Sequence, residues 1–141
     1  MADRNVKIVK SSGKKPIVLT LAKTASQTFN KNSLVEFASG LINPSDDNDT
    51  QVLGIIKEEV AATDSDYATA GATKQVALIM PGDLIEIDTS AAVTVGTSYG
   101  ISNPYTVDST DTTNDVFTPI QVISSTRAIG FFKSLAGDAV T

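Results

Sequence analysis

Apolar residues in this chain recur at a spacing of two in short runs, each fenced by Gly, Pro, Ser, Thr, Asn or Asp. Ile17, Leu19 and Leu21 share one face of residues 16–22, and alternation of this kind marks a strand. In residues 33–37, Val35 and Phe37 face one way and Glu36 the other. The run Val52-Leu53-Gly54-Ile55-Ile56-Lys57 predicts a third strand. Its Gly marks a bulge or a place where another backbone comes close. Residues 76–80 are apolar on both faces, as in a central or interface strand. Pro81-Gly82-Asp83 signals a tight turn. Residues 84–88 then alternate with Ile85 and Ile87 inward, so 76–80 and 84–88 predict a hairpin. Weaker strands are expected around 93–95 and 99–101. A last hairpin is expected from 120–123 and 129–132 through Ser124-Ser125-Thr126. Residues 58–72 carry no apolar stripe at helical spacing and predict a loop with at most one short helical turn. Strands this short, with no long helical pattern between them, predict an all-β fold, a single small β-barrel or β-sandwich.

The ordered body is expected over residues 16–141, preceded by an extended, flexible N-terminal arm over 1–15. The arm carries Arg4, Lys7, Lys10, Lys14 and Lys15 against Asp3, a balance of +4. The other 6 basic and 15 acidic side chains give the body −9. An acidic body repels phosphate, so no nucleic-acid partner is expected. The basic arm suggests a tether to an acidic surface. No apolar stretch has the length needed to span a bilayer, and the polar start lacks the apolar core of a secretory signal, so no membrane partner is expected. At 141 residues a chain of this kind buries roughly two-thirds of its unfolded surface, enough for a core without staples.

Composition narrows the chemistry. The chain has no His, Cys or Trp. It therefore lacks the commonest general base, every thiolate nucleophile and the usual zinc ligands, and no catalytic residue, cofactor or metal is expected. Asp88-Thr89-Ser90 at the end of an apolar strand resembles the aspartic-protease pattern, but Ser90 stands where that pattern has Gly. Two such loops need the missing side chain to bring their carboxylates together. Asp46, Asp47, Asn48 and Asp49, and again Asp108, Asp111, Asn114 and Asp115, offer hard oxygen ligands for calcium. Neither stretch has the turn Gly and terminal Glu of the calcium-binding helix-loop-helix pattern, and the same residues are ordinary in solvated turns. No Gly-Lys-Ser/Thr follows Gly96-Thr97-Ser98-Tyr99-Gly100, so it is not a phosphate loop.

The order of elements resembles that of the small head decoration, or cement, proteins of tailed bacteriophages. The likeness covers roughly residues 16–133. It lies in 32–37, Leu41-Ile42-Asn43-Pro44 and the acidic loop before Val52-Leu53-Gly54-Ile55. It continues in 63–68, 76–79 and Gly82-Asp83-Leu84-Ile85-Glu86-Ile87, and ends in Ala128-Ile129-Gly130-Phe131. The resemblance implies a non-enzymatic structural virion protein on the outer capsid surface, present in the host cytoplasm during assembly. Its implied partners are the major capsid protein and further copies of the chain, with a trimer favoured. The arm residues Arg4, Lys7, Lys10, Lys14 and Lys15 are then the expected capsid contacts. Val76, Leu78, Met80, Ile129, Phe131 and Phe132 are the expected self-association surface, because their strands are apolar on both faces and surplus apolar surface is usually covered by a partner. The alternative is a virion-surface adhesion module that binds host glycans, for which the aromatic platform is limited to Tyr67, Tyr99 and Tyr105.

Overall fold

A computed structural model describes residues 3–13 and 15–138, with the side chains of the last two left aside. The chain is all-β, two packed sheets forming a small sandwich that does not close into a barrel. The strands are β1 (Lys7–Lys10), β2 (Val18–Ala22), β3 (Leu34–Ala38), β4 (Leu41–Pro44), β5 (Gly54–Ile56), β6 (Thr73–Leu78), β7 (Leu84–Thr89), β8 (Ile101–Asn103), β9 (Thr106–Val107), β10 (Phe117–Ser124) and β11 (Arg127–Phe132). A helical turn, α1 (Leu135–Asp138), follows. One sheet has the order β2-β6-β5-β3-β4. The other runs β10-β11-β7-β9-β8, with β1 also on β7. Along the edge of β7 away from β11, antiparallel β1 covers Leu84 to Glu86 and parallel β9 covers Asp88 and Thr89.

Local sequence accounts for several of these elements. β3 and β4 are joined by Ser39-Gly40, with φ of 53° and 81°, between the paired Ala38 and Leu41. Two successive left-handed residues match the twist of a two-residue hairpin, and Gly is placed where a side chain would strain it. The expected last hairpin forms as β10 and β11, turning at Ser125-Thr126. Residues 58–72 form a loop of turns, as expected, without a helical turn.

The predicted hairpin of 76–80 with 84–88 does not form. β6 pairs β2 and β5 in one sheet, while β7 pairs β11, β1 and β9 in the other. The turn at Pro81-Gly82-Asp83 therefore carries the chain between sheets. Asp83, 1% exposed, holds it by accepting from the Met80 and Ser12 backbone N–H groups at 2.9 and 2.7 Å. No strand forms at 93–95, and α1 was not anticipated.

Two apolar layers explain the doubly apolar strands. Between the sheets lie Leu34, Ile55, Ile79, Ile85, Ile87, Ile101, Phe117 and Phe132, with Phe117 and Phe132 rings 4.8 Å apart. On the far face of the β2–β4 sheet, Phe29, Val35, Ile42, Ile56, Val60 and Val76 form a second cluster, with Leu21, Tyr67, Leu78 and Leu135 against it. That layer is covered by loops, and buried Lys23 staples them. Its Nζ donates to the carbonyls of Thr24, Tyr67 and Thr69 at 3.2, 3.1 and 3.2 Å. Of the six residues expected to mediate self-association, Val76 and Phe132 are buried in the two layers. Val76 belongs to the second layer and Phe132 to the first, Leu78 packs on the second, and Leu78, Met80 and Ile129 are half-buried. Only Phe131 is exposed. A sandwich with a second layer consumes apolar side chains on both faces of a strand, which a single barrel interior cannot.

The N-terminal segment is also corrected. Rather than a free arm, residues 4–12 are docked on the body. Val6 is 2% exposed in the main core and Ile8 packs beside it. Arg4 and Val6 donate backbone hydrogen bonds to Lys31 and Asn32. The period-two pair Val6 and Ile8 lets the segment serve as the missing edge partner of β7. Lys14 lies outside the described residues.

Candidate functional site

Glu36 is the residue that the sequence pattern placed on a strand but gave no role. The two-residue turn at Ser39-Gly40 sets it opposite Asn43, and the chain leaving β4 brings Asp46 and Asp49 back to it. One carboxylate oxygen from each of Glu36, Asp46 and Asp49 lies within 4.8 Å of the others. Glu36 is pushed up to about 8, first by burial, then by the hydrogen bond it shares with Asp49 and by the charges of Asp49 and Asp46. Asp49 is raised as well, chiefly by burial. Among the described residues no Lys or Arg pairs with any of the three. Such a cluster is chemically able to share a proton or to meet a hard cation with oxygen ligands. Part of its acceptor capacity already holds the loop. Asp49 accepts from the Asp46 N–H, and Asp46 from the Asn48 N–H, both at 2.9 Å.

The second acidic stretch is a neighbour of the first, because the Asn114 side-chain amide donates to the Asp47 carbonyl at 3.3 Å. Two of its carboxylates, those of Asp108 and Asp111, are engaged in turns. Asp108 accepts from the Thr110 N–H and hydroxyl at 2.9 and 2.7 Å, which holds its pKa below the usual value. Asp111 accepts from the N–H groups of Thr113 and Asn114. The two stretches therefore form one acidic end of the molecule, with Asp46 and Asp47 exposed upon it.

The basic residues of the N-terminal segment have separate surroundings. Arg4 lies over the Tyr105 ring, 3.7 Å from its centroid. Lys7 is exposed beside Glu86 at 3.9 Å, and Lys10 and Lys15 are exposed. Glu86 is held more closely by Arg127. The Arg127 guanidinium bonds Glu86, Asp88 and the Asn5 carbonyl, each at 2.5 Å. This network fastens the N-terminal segment to β7 and β11. It also explains Asp88, an exposed carboxylate paired with an arginine.

Exposed apolar side chains gather on edge strands and the strand beside one of them. On β10 and β11, Ile120, Val122, Ile123 and Phe131 are 44%, 40%, 48% and 40% exposed, and Ile17, Val18 and Leu19 are open along β2. Residues 120–126 carry no charge. Exposed, uncharged edge strands offer backbone donors and acceptors together with apolar contact. Strand alternation at 17–21 and 120–123 was visible in the sequence. Which strands would lie at the edges was not.

No protein-family model matches the chain, and neither does any curated protein sequence it was compared with.

Proposed function

We propose that the chain is a structural adhesion protein of a virus shell, a capsid decoration protein that binds the outside of the lattice and has no catalytic role. The observation that carries this reading is the uncharged, partly apolar end of the β10–β11 hairpin, exposed from residue 120 to 126, with the hairpin braced at its base by Phe117 and Phe132. A stiff body that presents a sticky edge suits a protein whose work is contact. Many modest contacts to neighbouring shell subunits give firm attachment through effective concentration. The resemblance in element order between residues 16 and 133 points the same way. Because β1 is paired within the body, attachment falls to the body surface rather than to a free arm.

The glycan-binding alternative lacks a platform. Tyr99 is buried and its hydroxyl accepts from the Thr94 N–H, Tyr67 packs on the second core layer, and Arg4 covers the Tyr105 ring. The test is co-sedimentation with empty shells assembled from the major capsid protein of the same virus. Wild type is expected to pellet with shells. Ile120→Asp with Ile123→Asp is expected to stay in solution while keeping its β-type circular dichroism. Shells that ignore the wild-type protein would refute the proposal.

A further inference from the structure

We propose that the cleft between β1 and β2 docks the acidic loop of a second copy of this chain, so that copies associate head to tail. The cleft measures about 230 Å³ and is mainly apolar, walled by Ile8, Pro16, Val18 and Ile55, with Lys7 and Lys57 at its rim. Lys57 donates to the Asn32 side chain at 2.8 Å, and Lys31 stands close enough for its charge to act on Lys57. Among the described residues neither Lys31 nor Lys57 has a carboxylate partner. Lys7 has Glu86 beside it at 3.9 Å, so Lys31 and Lys57 are the part of the positive rim without an anion.

The matching anion is on the same molecule but elsewhere. Asp46 and Asp47 stand exposed on the loop leaving β4, with Glu36 and Asp49 behind them and no basic side chain among the described residues to neutralise the cluster. β2 and β4 occupy the two ends of the sheet order β2-β6-β5-β3-β4. Those two strands come together at the Lys23–Ile42 bridge, but no residue lining the cleft belongs to the acidic cluster, so the cleft and the loop after β4 are different patches of one surface. Complementary patches at separate places make a heterologous contact, which closes into a ring when the rotation allows and otherwise extends as a chain. One loop in one cleft is smaller than a standard stable interface. Ring closure, or a scaffold holding copies side by side, multiplies it. The inference does not depend on the shell reading, since it concerns this chain alone.

The test uses sedimentation velocity of the full chain at high protein concentration. Wild type is expected to self-associate at low salt and to weaken by about tenfold or more when salt shortens the Debye length to a few ångströms. Lys31→Glu with Lys57→Glu is expected to be monomeric, as is Asp46→Lys with Asp47→Lys. All four positions are exposed. An equimolar mixture of the two variants regains complementary pairs at every junction, so alternating oligomers are expected. Their recovery also shows that both variants are folded. Wild type that is monomeric at low salt overturns the proposal, and so does association unchanged in both variants. Shell binding lost in Lys31→Glu with Lys57→Glu, without any self-association of wild type, also overturns it, in favour of an acidic patch on the shell.

Discussion

Replacing Glu36 with Gln should remove a pH-dependent cost that the wild-type fold carries. In the folded chain Glu36 titrates at about 8 instead of 4.5, mainly through burial and then through Asp49 and Asp46. A carboxyl group whose folded pKa is raised stabilises the fold fully below its unfolded pKa, and that contribution is lost as pH rises through the folded value. The window is therefore from about 4.5 to about 8, and stability falls with rising pH across it. A tenfold difference in proton affinity between the folded and unfolded chain corresponds to about 1.36 kcal/mol. The carboxylates lie at a partly solvated surface, where screening removes much of that, and we expect about 1–2 kcal/mol from Glu36. The raised Asp49 adds to the slope with the same sign. Urea unfolding at about pH 5 and about pH 8.5 measures the effect directly. Wild type should lose stability between the two, whereas Glu36→Gln should lose markedly less and be the more stable protein at the higher pH. Equal slopes in both proteins would refute the clustering of the three carboxylates.

Gly130 sits where an added Cβ would meet the Thr118 carbonyl, the Pro119 Cα and the Phe117 ring, so Gly130→Ala should cost about 2–3 kcal/mol in denaturant unfolding. Gly13→Ala, with nothing within 4 Å, should stay within about 0.5 kcal/mol of wild type. Lys23→Met should lower stability by about 2–4 kcal/mol, because three carbonyls beneath the loops lose their donor. Thermal unfolding followed by circular dichroism measures that loss. Arg127→Ala cuts the ties to Glu86, Asp88 and Asn5. Amide hydrogen exchange should then accelerate first at Lys7–Lys10, and protection that survives there would show that β1 is held by its ladder alone.

Much of this protein is written in local pattern. Alternation at 17–21 and 84–88 specifies strands, because a period of two turns successive side chains to opposite faces whatever the rest of the chain does. Ser39-Gly40 specifies its hairpin, and through it the register that sets Glu36 against Asn43. Gly54 was readable as a bulge or a close approach. The structure decides for close approach, since a Cβ there would collide with the Ala77 carbonyl, and Gly130 repeats the arrangement against Thr118. Other features depended on which strands met. The run 76–80 looked like surplus apolar surface because the pattern cannot reveal a second layer of loops beyond the sheet. The Val6–Ile8 pair was too short to stand out within a basic segment, and only the vacant edge of β7 turned it into a strand. The acidic cluster joins Glu36 to Asp46 and Asp49 across a turn, and Asn114 joins two acidic stretches across 67 residues. Periodicity is a property of a single segment, whereas burial on a second face, free edges and clustered charge are properties of pairs of segments, decided only when the chain packs.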